Sequence, residues 1–240
     1  MSTLLSLRGV SKRFGGLLAV NGVSMDVAPG ELVSIIGPNG AGKTTLFNLL
    51  TGQLTPSTGT IALRGAEINR LPPQARARLG FGRTFQIAQT LTTLTALENA
   101  MIGGFMHHRD LRGAAARAMA ALELVGLQDR AGVKGSLLTL SERGRLEVAR
   151  ALALEPDIVL LDEVMAGLNP TEIGHMVHLV QTLNDGGLTF LVIEHNLKVV
   201  RQFSNRVLVL HRGAMLAHGT ADEVLSNPAV VEAYVGKSRQ

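Results

Sequence analysis

One short stretch limits what this chain can fold into more than any other: Gly37-Pro38-Asn39-Gly40-Ala41-Gly42-Lys43-Thr44, which fits G-x-x-x-x-G-K-[ST]. It follows the apolar, β-rich run Glu31 to Ile36 and opens a helical pattern over Lys43 to Leu50. Glycines here let the backbone take conformations that other residues resist. The loop can then wrap its N–H groups around phosphate oxygens, and the helix N-terminus behind it adds unpaired donors and a positive dipole. In that reading Lys43 reaches the β- and γ-phosphates, Thr44 offers its hydroxyl to Mg²⁺, and Thr45 stands next to it for the α-phosphate. The expected ligand is ATP with Mg²⁺. From the chain's own Gly, Lys, Ser and Thr usage, a chance match arises on the order of once per hundred such chains, and the strand-loop-helix setting makes it rarer.

The rest of the chain supplies the matching architecture. Asp157 to Leu161, Leu188 to Ile193 and Arg206 to Leu210 are short apolar runs of the kind buried on both faces of a parallel sheet. They alternate with helical patterns at Arg145 to Leu154, Pro170 to Leu183 and Asp222 to Leu225. The first ~30 residues and Gly59 to Ile68 suggest short antiparallel strands. Thr95 to Leu127 is rich in Ala, Leu, Met and Glu and weak in β-branched residues, so it is expected to form a helical insertion, most strongly over Ala114 to Leu124. Aromatics make up only 3% of the 240 residues, so the core must come from Leu, Val, Ile and Ala.

Composition removes several functions. A net charge of +4 without a Lys/Arg run or interleaved aromatics argues against nucleic acid as a partner. The absence of cysteine excludes disulfides and thiolate metal sites. Met1 to Val10 lacks the pattern of a signal peptide, and no stretch nears the ~20 apolar residues that span a bilayer. Any membrane link is expected to run through a partner.

A second element agrees with the loop. Ile158-Val159-Leu160-Leu161-Asp162-Glu163 is an apolar strand ending in two carboxylates. A doubly buried strand delivers its C-terminal end to the crevice where ligands bind. Asp162 can hold Mg²⁺ through water and Glu163 can polarise an attacking water. Phosphoryl transfer needs positioning and charge neutralisation more than covalent help.

With these residues in place the chain resembles the ATP-binding-cassette (ABC) ATPases along nearly its whole length. The resemblance implies an α/β fold: a P-loop NTPase (RecA-like) core with an N-terminal antiparallel β subdomain and an inserted helical subdomain. A single nucleotide-binding domain would cover 1–240, with the β subdomain and core in 1–88 and 151–240 and the helical subdomain in 89–150. It implies that Phe14 stacks on adenine with Val20 nearby, and that Asn39, Gly40, Ala41, Gly42, Lys43, Thr44 and Thr45 hold the nucleotide. Gln86 of Gly82-Arg83-Thr84-Phe85-Gln86 matches the Q-loop glutamine, which contacts Mg²⁺ and the water. The metal would rest on Thr44, Gln86 and Asp162. Glu163, Gln86 and His195 would form the catalytic set, His195 being the switch histidine of Leu191-Val192-Ile193-Glu194-His195. Ala166-Gly167-Leu168-Asn169 matches the D-loop, with Asn in place of the usual Asp, and Val164 stands where Pro is usual.

The signature motif departs furthest. Anchored on Arg145-Leu146-Glu147-Val148-Ala149-Arg150, the family's Leu-Ser-Gly-Gly-Gln falls on Leu138-Thr139-Leu140-Ser141-Glu142; matching Leu140-Ser141 to its Leu-Ser instead requires a two-residue deletion. Thr139, Leu140, Ser141 and Glu142 would then face the ATP of an opposite subunit, and the charge of Glu142 suggests weaker closure.

The finer resemblance is to the LivG-like ATPases of branched-chain amino-acid uptake, carried by Arg13-Phe14-Gly15-Gly16-Leu17-Leu18-Ala19-Val20, Ile193-Glu194-His195-Asn196 and the tail Asn227-Pro228 with Glu232-Ala233-Tyr234-Val235-Gly236. It implies an energy-coupling subunit of an importer at the cytoplasmic face of the membrane. Its partners would be an identical or related ATPase in a dimer, membrane permeases and, indirectly, a solute-binding protein. Ile87 to Gly104 would meet the permease. The rival readings are a soluble ABC ATPase in repair or translation, a P-loop GTPase or kinase, and a regulatory cassette; no Asn-Lys-x-Asp guanine-reading motif is present.

Overall fold

The computed structural model describes residues 3–84 and 90–235. In chain order they form β1 (Leu5–Phe14), β2 (Leu17–Val27), β3 (Leu32–Ile36), α1 (Lys43–Leu50), β4 (Thr58–Leu63), β5 (Ala66–Glu67), α2 (Pro73–Arg78) and β6 (Phe81–Arg83). Then follow α3 (Ala96–Gly104), α4 (Leu111–Leu124), α5 (Leu140–Leu152), β7 (Ile158–Asp162), α6 (Pro170–Asp185), β8 (Thr189–Ile193) and α7 (Leu197–Phe203). The chain closes with β9 (Arg206–His211), β10 (Ala214–Gly219), α8 (Ala221–Leu225) and α9 (Pro228–Val235). Two compact units result, one from residues 1–76 with 189–240, the other from 77–188.

The first unit holds an antiparallel sheet in the order β2-β1-β4-β5 and the strands β10-β9-β3-β8 of a second sheet. There β3 runs parallel to both β8 and β9, while β10 returns antiparallel to β9. Every residue of β3 and β8 is buried, as suits largely apolar strands covered on both faces, with Ser34 and Thr189 their polar members. In the second unit β6 and β7 pair in parallel and β7 is buried throughout. The insertion over Thr95 to Leu127 is helical as expected, with Ala114, Ala118, Ala121 and Leu122 forming the buried stripe of α4.

Boundaries differ from expectation where caps decide them. α5 begins at Leu140, five residues before Arg145, because Thr139 and Glu142 form a reciprocal capping box. α6 starts at Pro170, as its pattern predicts, on a cap of the same kind: the Asn169 side chain accepts from the Glu172 N–H, and the Glu172 carboxylate accepts from the Asn169 N–H. Asn caps a helix as well as Asp does, so the altered D-loop residue keeps this local role.

Candidate functional site

The phosphate-type loop sits between β3 and α1. Two of its glycines are obligatory. Gly37 has φ 150°, and a Cβ there would run into the Leu210 carbonyl oxygen; Gly42 has φ 102°, and a Cβ there would run into that of Ala19. Gly42 is also the N-cap of α1 and brings no side chain to its first turn. Each helix from α3 to α8 has a side-chain cap. α1 therefore meets its loop with first-turn N–H groups that no side chain caps, the arrangement that suits an anion.

Lys43 is 6% exposed, and its Nζ donates to the Gly37 and Pro38 carbonyls at 2.7 and 3.1 Å. The ammonium is thus curled back over the mouth of its own loop, where phosphate oxygens would compete for it. Thr44 and Asn39 are exposed, and Thr45 is half-buried. Ala41 is buried and its N–H donates to the Pro38 carbonyl, while Gly40 is exposed. The same unit carries His195, exposed just beyond the C-terminal end of β8, next to buried Glu194. β8 and β3 are parallel neighbours paired from Leu32/Phe190 to Ile35/Ile193, so His195 and the loop leave the sheet at the same end. Phe14 is 45% exposed at the end of β1, with Lys12 Nζ 5.3 Å from its ring centroid. Val20 is fully buried in β2.

In the second unit Asp162 ends β7 at 1% exposure. The Arg83 guanidinium lies 3.2 Å from its Oδ2, and the Asp162 N–H donates to Thr84 Oγ1 at 3.2 Å. Burial pushes the Arg83 guanidinium below its ordinary range, and the Asp162 charge pulls it partly back. Glu163, half-buried, follows with φ 53°, a left-handed conformation for a residue with a Cβ. Such backbone costs about 1–3 kcal/mol and gathers at functional sites.

The signature stretch forms the start of α5. Leu140 is 52% exposed and Ser141 half-buried. Thr139 Oγ1 accepts from the Glu142 N–H at 3.2 Å, and the Glu142 carboxylate accepts from the Thr139 N–H at 2.8 Å. Arg130 Nε donates to the same carboxylate at 2.8 Å. Burial raises the Glu142 carboxyl, but Arg130 and the Thr139 N–H outweigh it and hold the group below its ordinary value. Gln86, with Ile87 of the expected permease surface, lies outside the described residues.

Two residues beside these were not singled out from sequence. Arg83 lies 79 residues from Asp162 and Arg130 lies 12 from Glu142, and neither pairing leaves a periodic or spacing cue.

Comparison with known proteins defines the class. The family model described as ABC transporter matches residues 20–166, and the chain belongs to that family. It is an ATP-binding, ATP-hydrolysing subunit with the P-loop NTPase fold. The model described as branched-chain amino acid ATP-binding cassette transporter matches residues 214–239. The chain is 41% identical to the high-affinity branched-chain amino acid transport ATP-binding protein LivG of Escherichia coli, with 98% of each chain covered. It is 40% identical to BraF, of the same description, from Pseudomonas aeruginosa, again with 98% of each covered. Among solved structures, an ATP-binding cassette of an ABC transporter in its ADP conformation is 31% identical, with a TM-score of 0.90 over 99% of this chain and 100% of that one. A dimeric cassette bound to ADP and phosphate is 27% identical, with a TM-score of 0.81 over 91% and 99%. No helix among the described residues is long and apolar enough to cross a membrane.

Proposed function

We propose that this chain is the ATP-hydrolysing subunit of an importer for branched-chain or closely related amino acids, working as a dimer with itself or a related ATPase and coupled to membrane permeases. The observation that carries the nucleotide reading is the loop at α1: two glycines that tolerate no Cβ, a helix start without a side-chain cap, and Lys43 held over the loop mouth. A nucleoside triphosphate suits it, because phosphate oxygens take the first-turn N–H groups and draw the Lys43 ammonium from the Gly37 carbonyl. The transport reading draws on the relatives and on the tail, 214–239.

Within this reading Asn39 to Thr45 bind the phosphates and Phe14 borders the adenine, while Val20, fully buried in β2, supports that site from within the sheet without touching the base. Thr44, Gln86 and Asp162 would hold Mg²⁺, which when bound neutralises phosphate charge. The donor set suits that ion, since Mg²⁺ commonly takes one or two protein oxygens and leaves the rest to phosphates and water. Glu163 orients and deprotonates the attacking water; Gln86 positions it; His195 contacts the γ-phosphate. Thr139 to Glu142 serve the partner's nucleotide. The helical subdomain is assigned to 89–150, and a solute-binding protein would act through the permeases at the cytoplasmic face of the membrane.

Glu163→Gln tests the assignment. Without its base the variant should keep ATP affinity and lose at least about a hundredfold in turnover, the usual worth of general-base catalysis. Lys43→Ala, measured beside it, should lose ATP binding. Unchanged turnover in Glu163→Gln would remove that residue from the role, and unchanged binding in Lys43→Ala would remove the loop.

A further inference from the structure

The adenine side of the proposed site carries a cation that the chemistry above does not use. β1 and β2 form a hairpin closed by the pair Phe14 and Leu17, and just behind it Arg13 pairs with Leu18 and Lys12 with Val20. Ala19 is therefore an extra residue on β2, a bulge between these pairs. The bulge re-aims the Ala19 carbonyl, whose oxygen lies where a Cβ on Gly42 would go. Gly42 is the N-cap of α1, so the hairpin tip is seated on the start of the helix that carries Lys43. The Asn21 N–H adds a bond to the Gly213 carbonyl at 2.8 Å, and the Gly213 N–H donates to the Ala41 carbonyl at 3.0 Å.

No residue is inserted in β1 between Lys12 and Phe14, so these two share a face of the strand. The Lys12 ammonium stands 5.3 Å from the centroid of the Phe14 ring and donates to the Thr55 carbonyl at 2.8 Å. Thr55 lies in the segment after α1, which is fixed on both sides of it. The Leu54 N–H donates to the Asn48 carbonyl of α1 at 3.0 Å, and the Ser57 N–H donates to the Ser11 carbonyl at 2.8 Å. One ammonium thus has an aromatic ring on one side and an anchored carbonyl on the other. Phe14 is 45% exposed at the strand end, so packing alone leaves much of its ring in water.

We infer that Lys12 is a positioning residue for the base: held at the Thr55 carbonyl, it pins one face of the Phe14 ring and so presents the opposite face for adenine to stack on. The inference rests on the reading of Phe14 as the adenine platform and adds the residue that orients it. A ring held before the ligand arrives has less freedom left to lose on binding, and affinity gains by that amount. An exposed lysine can also act by simple attraction for a triphosphate. The two roles differ in one respect. A positioning lysine matters only to a ligand with a base, whereas an attracting lysine matters to any polyphosphate.

The experiment measures Kd by titration calorimetry for two ligands, ATP and inorganic tripolyphosphate, at about 0.15 M salt to screen distant charges. It uses the full-length chain and its variants Lys12→Met, Lys12→Arg, Phe14→Ala and the double variant Lys12→Met/Phe14→Ala. Lys12→Met keeps the stem and removes the charge. It should weaken ATP roughly two- to fivefold, the range that an exposed cation–π contact supports, and leave tripolyphosphate within about 1.5-fold. Lys12→Arg, still cationic, should bind ATP within about 1.5-fold of wild type. In the Phe14→Ala background Lys12→Met should have no further effect on ATP, as expected of two groups that act as one. Equal weakening of both ligands would make Lys12 an attracting charge and overturn the inference. Unchanged ATP affinity in Lys12→Met would overturn it, and tighter binding would too, by placing the ammonium on the face that the base needs. So would a full Lys12→Met loss in the Phe14→Ala background. If Phe14→Ala keeps the wild-type ratio of the two Kd values, the adenine reading itself fails, and that result comes from a chain in which Lys12 is intact.

Discussion

Replacing Arg76 with Met should destabilise the chain more than any surface change, although Arg76 has no part in the proposed chemistry. The side chain is fully buried. Its guanidinium donates to four carbonyls: Leu49 at 2.6 Å and Leu50 at 2.8 Å in the last turn of α1, Leu71 at 3.0 Å and Asn69 at 3.1 Å. It therefore ties the C-terminus of the helix that carries Lys43 to the segment after β5. A cation at a helix C-terminus also meets the negative end of the dipole. Burial lowers its pKa to about 10, so at neutral pH the charge stays, and the carbonyls are what make that tolerable.

Met keeps the apolar stem and removes every donor. Each carbonyl left short of a partner costs about 1 kcal/mol, and the lost dipole contact about 0.3–1 kcal/mol. Relief of the buried charge returns part of this, leaving a net loss of about 2–4 kcal/mol. For a chain of this length that is a fall of roughly 5–15 °C in the thermal midpoint, measured by calorimetry on nucleotide-free protein. Arg76→Lys should fall between, because an ammonium cannot reach all four oxygens with one fork of donors. A loss under about 1 kcal/mol for Met would show that water replaces the guanidinium, and the anchoring argument would be wrong.

Two further perturbations test local geometry. Glu163 holds φ 53°, so Glu163→Asn should keep stability within about 0.5 kcal/mol while Glu163→Val, β-branched, should lose about 1–2 kcal/mol; equal midpoints for the two would refute the left-handed backbone. Glu142→Gln restores the family's usual signature residue, and with the negative charge gone the turnover of the assembled ATPase should rise; a fall in a steady-state assay would count against the expected weaker closure. The stability cost of that change should stay below about 1 kcal/mol at neutral pH, since the Arg130 pair is partly exposed. Because the folded-state pKa of Glu142 is lowered, its contribution is present above the ordinary value of 4.5 and is lost as pH falls through the folded value, so Glu142→Gln should flatten that acid-side slope in a midpoint-against-pH series.

What could be read from the sequence divides by distance along the chain. The loop, β3 and α1 were legible because glycine spacing, an apolar run and a helical period fall within about 20 residues of one another. α1 starts at Lys43 and ends at Leu50 as its pattern predicts. β7, β8 and β9 appear within a residue or two of their apolar runs. Contacts that tune the site are long-range and carry no such period: Arg83 with Asp162, and Arg76 with the end of α1. The tail segment of α9 does not read as a helix from sequence, since its eight residues lack a polar face to set a period.

The signature stretch shows how a local rule can change the meaning of a substitution. Measured against Leu-Ser-Gly-Gly-Gln, Thr139 to Glu142 look like losses: two glycines gone and a charge added. Measured as a helix start, Thr139-x-x-Glu142 is a capping box, and it lengthens α5 back to Leu140. The added carboxylate is held by the Thr139 N–H and Arg130, so its charge is largely spent within its own unit. The same bonds occupy a backbone N–H at the start of α5, where a partner's phosphate would otherwise find a donor. Local helix stability and affinity for an opposing nucleotide thus draw on the same backbone groups. This makes Glu142, rather than the replaced glycines alone, the residue whose removal should change how the signature half-site works.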